Sequence, residues 1–329
     1  MLPKFSVIIP VKPGGEVRAL AGVAQASYPP ELFEVLVAHG CQPSVQRNTA
    51  AREARGDILY FLDDDSGVAS DFLERAAGHY REQNVTAVGG PSLTPATDST
   101  MQRAIGIAFS SAVGGGGVRN RYRKFGSARY SSDNELILCN LSFRREIFLE
   151  HEGLDERLYP NEENELMDRL QQEGHLLVHD PDLAVKRSQR RTYRAYVKQM
   201  YGYGRGRGEQ TLIAGTLKPI TLAPSLFLIY ALLVPFLGVP LLTLPLLAYL
   251  AIVVLASLQG SFAGKDAALF PWLLLVYPTL HLVYGAGVIR GLIRPRYRGG
   301  KQTHWEVEVK RVKPFGEAVQ RSTFDVTRV

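Results

Sequence analysis

Short apolar runs recur along the first 180 positions: FSVIIPV at 5–11, FEVLVA at 33–38, DILYFL at 57–62, VTAVGG at 85–90, ELILCN at 135–140 and HLLVHD at 175–180. Most are rich in β-branched or aromatic residues and bounded by turn formers, the pattern of buried strands. Between them lie helix-forming stretches at 16–26, at 45–56 with Gly56 as the stop, from Asp71 to about Arg81, at 143–151, and at 161–174 with Gly174 as the stop. Strand–helix alternation of this kind predicts an α/β domain, a Rossmann-like and mainly parallel sheet flanked by helices. The run GGGG at 114–117, ahead of a basic stretch, predicts a mobile loop.

Beyond residue 212 the pattern changes. Residues 219–258 contain no charged side chain, and residues 267–289 form a second uncharged apolar stretch. A membrane helix needs about 20 such residues, so C-terminal transmembrane helices are expected, at least two of them. Dividing the longer run at Gly238-Val239-Pro240 gives three, and both numbers stay open. Lys218 precedes the first run, while Arg290, Arg294, Arg296, Arg298 and Lys301 follow the last. Basic flanks favour the cytoplasmic side, which requires an even number of crossings and makes a third apolar helix interfacial. The expected organisation is a cytoplasmic catalytic domain at 1–212, a membrane domain at 213–292 and a basic cytoplasmic tail at 293–329, with a strand in HWEVEVKRV. The opening MLPKFSVIIPV runs straight into a strand without a signal-peptide pattern. A multi-pass protein of the cell's inner membrane is expected, with its active site on the cytoplasmic face.

Charge and cysteine content add constraints. A formal net charge of +6 raises the question of nucleic acid. The basic residues, however, cluster at 119–129 and 186–198, beside membrane segments, where they suit lipid headgroups or phosphates better. No nucleic-acid partner is expected. Two cysteines, Cys41 and Cys139, imply neither a disulfide framework nor a zinc site.

Candidate chemistry begins at YFLDDDSG. Asp63, Asp64 and Asp65 follow directly on the third strand, and ligands of parallel sheets bind beyond the carboxyl ends of strands. One aspartate there could cap the helix starting near 71, but three adjacent carboxylates need a positive partner. Oxygen ligands of this kind suit Mg²⁺ or Mn²⁺.

In chain order, FSVIIPV, RNTAAREARGDILYFLDDD, NLSFRRE, GLDERLYPNEENELMDRL and QMYGYGRGRG resemble a membrane-associated family 2 glycosyltransferase with the GT-A fold. The likeness spans residues 5–208 and is greatest for the succinoglycan-assembly kind. It implies an inverting, metal-dependent transfer of a sugar from a UDP- or GDP-sugar donor to a lipid-linked acceptor. By that resemblance Asp65 binds the metal, with Asp63 beside it. Pro10, Val11, His39, Arg47, Asn48, Asp63, Asp64, Arg205 and Arg207 belong to the donor site. NEENELMDRL aligns with a Glu-Asp motif in which the second acid is the base, placing Glu162 on the Glu and Glu163 on the Asp. Glu163 departs from the pattern by one methylene. His39 stands where relatives place an aspartate, either against the nucleobase or as a plain loop residue. Arg47 and Asn48 either touch the donor or fix the loop. Gly202 replaces the arginine of the processive Gln-x-x-Arg-Trp pattern, which points to addition of a single sugar. The basic stretch 119–129 is a candidate lid or acceptor clamp. Two rivals stand beside this reading: transfer to a bare polyprenyl phosphate, as in dolichol-phosphate mannose synthases, and a non-catalytic nucleotide-sugar-binding scaffold.

Overall fold

The computed structural model describes residues 2–215, 217–298 and 305–319. Lys301, counted above with the basic flank, and residues 320–329 of the tail lie outside them. In chain order the elements are β1 (Phe5–Val11), α1 (Leu20–Val23), β2 (Phe33–His39), α2 (Pro43–Glu53), β3 (Ile58–Leu62), α3 (Phe72–His79), β4 (Val85–Gly89), β5 (Ser92–Leu93) and α4 (Thr100–Ser110). Then follow β6 (Arg129–Ser131), β7 (Asn140–Arg144), α5 (Arg145–Glu150), α6 (Glu162–Gln172), β8 (Leu176–His179), β9 (Val185–Lys186) and α7 (Tyr193–Ala214). The chain closes with α8 (Ala223–Leu233), α9 (Leu244–Ala263), α10 (Leu269–Ile293) and β10 (Glu308–Lys313). It divides into two compact units, the first from Met1–Leu93, Asn120–Arg187 and Gln302–Val329, the second from Thr94–Arg119 and Ser188–Lys301.

The first unit is built on an eight-stranded sheet of order β10-β2-β1-β3-β7-β4-β8-β6. β1, β2, β3, β4 and β8 run one way, and β6, β7 and β10 run against them, so the sheet is mixed. Strands β1 and β3 are buried along their whole length. Val7, Ile9, Tyr60 and Leu62 enter one apolar layer, while Ile8, Leu59 and Phe61 enter the other. Burial on both faces is why these strands read as continuous apolar runs rather than alternating ones. β10 closes the edge beside β2. Its Arg311 Nε donates to Glu34 Oε2 at 2.6 Å, and Glu34 is wholly buried. The Lys313 ammonium donates to the carbonyls of Pro30 and Phe33 at 2.8 and 2.6 Å.

Three local expectations change. The helix at 16–26 shrinks to the four residues of α1, because the chain before it turns to hydrogen-bond the Ala19 N–H to the Asp64 carbonyl at 2.9 Å. The strand expected at 135–140 begins instead at Asn140, in register with Leu62 of β3. Leu136 and Leu138 are buried ahead of it without ladder pairing, so their apolarity marked core rather than strand. The glycine run leads into a 3-10 helix at Gly116–Tyr122 instead of an irregular loop.

In the second unit three stretches are long and apolar enough to cross a membrane: Pro219–Phe236, Pro240–Ala263 and Leu269–Ile293. α7 packs along α10 with close backbone approach. A side chain at Gly204 would collide with the Tyr284 carbonyl, and one at Gly291 with that of Arg205. Tyr196 donates its hydroxyl to the Val276 carbonyl at 3.1 Å.

Candidate active site

The strand ends that build the site share one edge of the first unit's sheet. Val11 closes β1 opposite His39, which closes β2, and Pro10 lies opposite Ala38. β3 ends at Leu62, so Asp63, Asp64 and Asp65 leave the sheet at this same carboxyl edge. The turn after them is fixed from two sides. The Ser66 hydroxyl donates to the Cys139 carbonyl at 3.1 Å, and Gly67 exchanges backbone hydrogen bonds of 2.8 Å with Lys186.

That exchange delivers Arg187. Its Nη2 lies 2.9 Å from Asp63 Oδ2, and its Nε donates to Asp65 Oδ1 at 2.7 Å. Arg18 approaches Asp65 from the other side at 3.9 Å. On α2, whose first turn is capped by the Gln42 side chain and opened by Pro43, Arg47 is 4 % exposed. It donates to Asp63 Oδ1 at 2.7 Å and to Glu162 Oε1 at 3.4 Å. One guanidinium therefore ties the acidic triplet to the start of α6. Asn161, in the left-handed region at φ 91°, turns the chain into that helix.

The charges are unevenly compensated. Burial, then the neighbouring Asp65 and Asp63, push the Asp64 carboxyl above its ordinary value, against the pull of Arg187 and Arg18. Burial first, and Glu163 second, push Glu162 up to about 8, although Arg47 opposes this. Its Oε2 is buried without a hydrogen-bond partner among the described residues, and Arg47 sits closer to Asp63. Glu162 thus holds a proton at neutral pH, and Glu163, next to it in the same turn, is half-exposed.

This has a consequence for stability. The folded protein binds the Glu162 proton and the unfolded chain, at an ordinary value of 4.5, releases it. Stability from this group is whole below that value and is lost as pH rises through about 8. Melting temperatures of wild type and Glu162→Gln should diverge in the variant's favour as pH rises through that window. Parallel curves would contradict a buried neutral acid.

His39 is lowered below the ordinary imidazole range by burial and then by Lys310, and its Nε2 is buried without a partner among the described residues. Asn48 bonds to the loop before α6. Its amide donates to the Leu154 carbonyl at 2.8 Å and accepts from the Leu154 N–H at 3.0 Å, pinning the loop before α6. Arg205 and Arg207 lie on α7 in the second unit, where Arg205 is buried and 3.6 Å from Glu209.

Three cations of the basic stretch 119–129 have partners within the first unit. Arg121 is buried against the Asp133 carbonyl and the Asn164 side chain, Arg129 pairs with Glu135 at 2.6 Å, and Lys124 with Asp182 at 3.2 Å. Arg187 was missed, since its only sequence signal was membership of the basic cluster at 186–198.

A family model for glycosyl transferase family group 2 matches residues 58–288. The chain belongs to glycosyl transferase family group 2. The match opens with β3 and so takes in the aspartate triplet. Among solved structures, the mannosyltransferase PcManGT from Pyrobaculum calidifontis, in complex with GDP-Man and Mn²⁺, aligns at 17 % identity and a TM-score of 0.54 over 89 % of this chain and 88 % of that one. S. aureus TarS 1–349 in complex with UDP-GlcNAc aligns at 14 % identity and a TM-score of 0.46 over 96 % and 100 %. No curated protein matches the sequence. The family group 2 fold here is GT-A, a mixed sheet flanked by helices, followed by three apolar helices.

The residues of this glycosyltransferase fit a divalent metal. The donors are carboxylate oxygens, the side chains of Asp63 and Asp65 are 20 and 21 % exposed, and a guanidinium lies astride both as a positive stand-in. A Lewis-acid cation meets the same need.

Proposed function

We propose that the chain is an inverting glycosyltransferase that moves one sugar from a UDP- or GDP-sugar to a lipid-linked acceptor at the cytoplasmic face of a membrane. The observation that carries this is the joining of Asp63 to Glu162 through Arg47, which sets a metal-binding acidic edge beside a candidate base. Asp65 and Asp63 would hold Mn²⁺ or Mg²⁺, which supplies Lewis-acid neutralisation of the diphosphate leaving group. Pro10, Val11 and His39 line the strand ends where the nucleoside would lie. Glu163 takes the acceptor hydroxyl's proton as that oxygen attacks the anomeric carbon. Arg47 and Arg187 orient the carboxylates and, as bidentate donors, suit phosphate oxygens. The fold shared with PcManGT, whose structure holds GDP-Man and Mn²⁺, accords with this reading. Gly202, in place of a processive arginine, supports addition of a single sugar, as in glycan or exopolysaccharide assembly of the succinoglycan kind.

Residues 213–292 form the membrane part, and connectivity constrains how they cross. β8 precedes the apolar helices and β10 follows them, and both are strands of the first unit's eight-stranded sheet. A single sheet lies on one side of a bilayer, so the number of crossings is even. α10 is the helix that stays out, with 39 % of its apolar window buried against 17 % in each of the others. It also runs along α7, whose Arg194, Lys198, Arg205, Arg207 and Glu209 are costly in hydrocarbon. Pro219–Phe236 and Pro240–Ala263 then form a crossing hairpin. In intact cells an impermeant maleimide should label Val239→Cys in the hairpin turn and spare Lys265→Cys before α10. The reverse pattern, or equal labelling, would reject this topology.

Function is tested by incubating membranes containing the protein with a panel of nucleotide sugars, Mn²⁺ and lipid acceptors ending in phosphate or in a sugar diphosphate. Incorporation into the sugar-bearing lipid is expected. Incorporation only into bare polyprenyl phosphate would replace the acceptor class, and donor binding without incorporation would favour a scaffold.

A further inference from the structure

The opposite edge of the first unit's sheet carries a second cluster of ligating side chains. His151 directly follows α5, Glu173 directly follows α6, and His175 immediately precedes β8. β8 runs parallel to β4 and β4 runs in the direction of β3, so the amino-terminal ends of β4 and β8 lie away from the edge where Asp63–Asp65 emerge. One ligand atom from each of the three residues lies within 4.8 Å of the other two.

The hydrogen bonds around them are arranged as for metal ligands. His151 Nδ1 faces the Ile147 carbonyl at 2.8 Å, and His175 Nδ1 faces the hydroxyl of buried Thr86 at 3.0 Å. Histidines that bind metals commonly donate the other ring N–H to an oxygen, which fixes the tautomer with a lone pair on the ligating nitrogen. His151 Nε2 lies 2.9 Å from Glu173 Oε2, and the two rings stand at 84° with centroids 5.5 Å apart. A neutral imidazole has one proton for two facing oxygens, so His151 must either gain a proton or share a cation with Glu173. Ligands about 2.0–2.1 Å from a tetrahedral Zn²⁺ are roughly 3.3 Å apart, a little beyond the 2.9 Å between His151 Nε2 and Glu173 Oε2 and inside the 4.8 Å within which all three ligand atoms lie.

We propose that His151, Glu173 and His175 form a binding site for one Zn²⁺-class divalent cation, distinct from the carboxylate site. Two imidazoles and one carboxylate select Zn²⁺ over Mg²⁺ or Mn²⁺, which prefer all-oxygen sets. Glu173 is exposed, which leaves the ion a path in and a fourth position for water. The bound ion would staple the end of α5 to the α6–β8 junction. That fixes the end of α6 opposite Glu162 and Glu163, so the cation acts through structure and not on the substrate.

The test uses the detergent-solubilised full chain, stripped with chelator and titrated with Zn²⁺ and, separately, with Co²⁺. Zinc is counted by elemental analysis, and Co²⁺ is followed by its visible d–d absorption. One Zn²⁺ per chain, a tetrahedral Co²⁺ spectrum and a higher melting temperature with Zn²⁺ are expected. His175→Ala and Glu173→Gln should each weaken binding about tenfold or more, while Asp65→Ala, at the other edge, should leave zinc content unchanged. Melting of each variant without metal shows whether it is folded. Zinc content unchanged in both His175→Ala and Glu173→Gln, or no retained zinc in wild type, would overturn the proposal and leave His151–Glu173 as a plain ion pair. Loss of zinc in Asp65→Ala alone would assign the ion to the carboxylate site.

Discussion

Glu163→Gln should bind donor sugar and metal as wild type does, yet transfer sugar about 10²- to 10⁴-fold more slowly, the usual contribution of a positioned general base. The reasoning rests on the contrast between two adjacent acids. Glu162 is buried, holds its proton and leans on Arg47, so at neutral pH it is not the carboxylate that a general base must be. Glu163 lies in the same helical turn and is half-exposed. Turnover and donor affinity measured on one preparation separate the two roles. Near-normal turnover would remove Glu163 from the chemistry, and a matching loss of donor affinity would make it a binding residue instead.

Asp65→Ala should lose transfer on the order of 10²-fold or more, because metal stabilisation of a departing diphosphate is worth several kcal/mol. Asp65 is partly exposed and its partners are Arg187 and Arg18, so the fold should survive its removal. Comparing Asp65→Ala with Asp65→Asn at rising Mn²⁺ concentration separates lost affinity from lost fold. Recovery at high Mn²⁺ marks weakened metal binding. Full activity in chelator, in wild type or variant, would show that the carboxylates hold no catalytic metal.

Much of this site was legible before any coordinates. The triplet sits where a strand's apolar run stops, and α6 opens with acids ahead of a periodic apolar face, so both could be placed from pattern alone. Arg47 was legible only through resemblance, because a lone arginine on a helix has many uses. Arg187 was not legible: it reaches Asp63 and Asp65 because Gly67 pairs with Lys186, a contact across more than a hundred residues of sequence. Asn140 illustrates the same limit. Apolar residues fall on both sides of Asn140 in ELILCNLSF, and only pairing with β3 decides that the strand starts at its sixth residue. The His151, Glu173 and His175 cluster escaped for a related reason, since residues 151 and 173 meet only when two helix ends converge. Composition had argued against zinc from cysteine count, which says nothing of histidine and glutamate.

The C-terminal strand shows the reverse. HWEVEVKRV was readable as a strand, but its partner was not. Pairing with β2 brings Arg311 to the buried Glu34 and ties β10 to the first unit's main sheet.

The central claim is that the acidic edge at Asp63–Asp65 binds a nucleotide diphosphate through a divalent metal. Calorimetric titration of UDP- and GDP-sugars into the purified chain tests it most directly, with Mn²⁺ present and then with chelator. Binding of one donor class that requires Mn²⁺ and disappears in Asp65→Ala is the result expected. Equal affinity with and without metal, or unchanged metal-dependent affinity in Asp65→Ala, would contradict it.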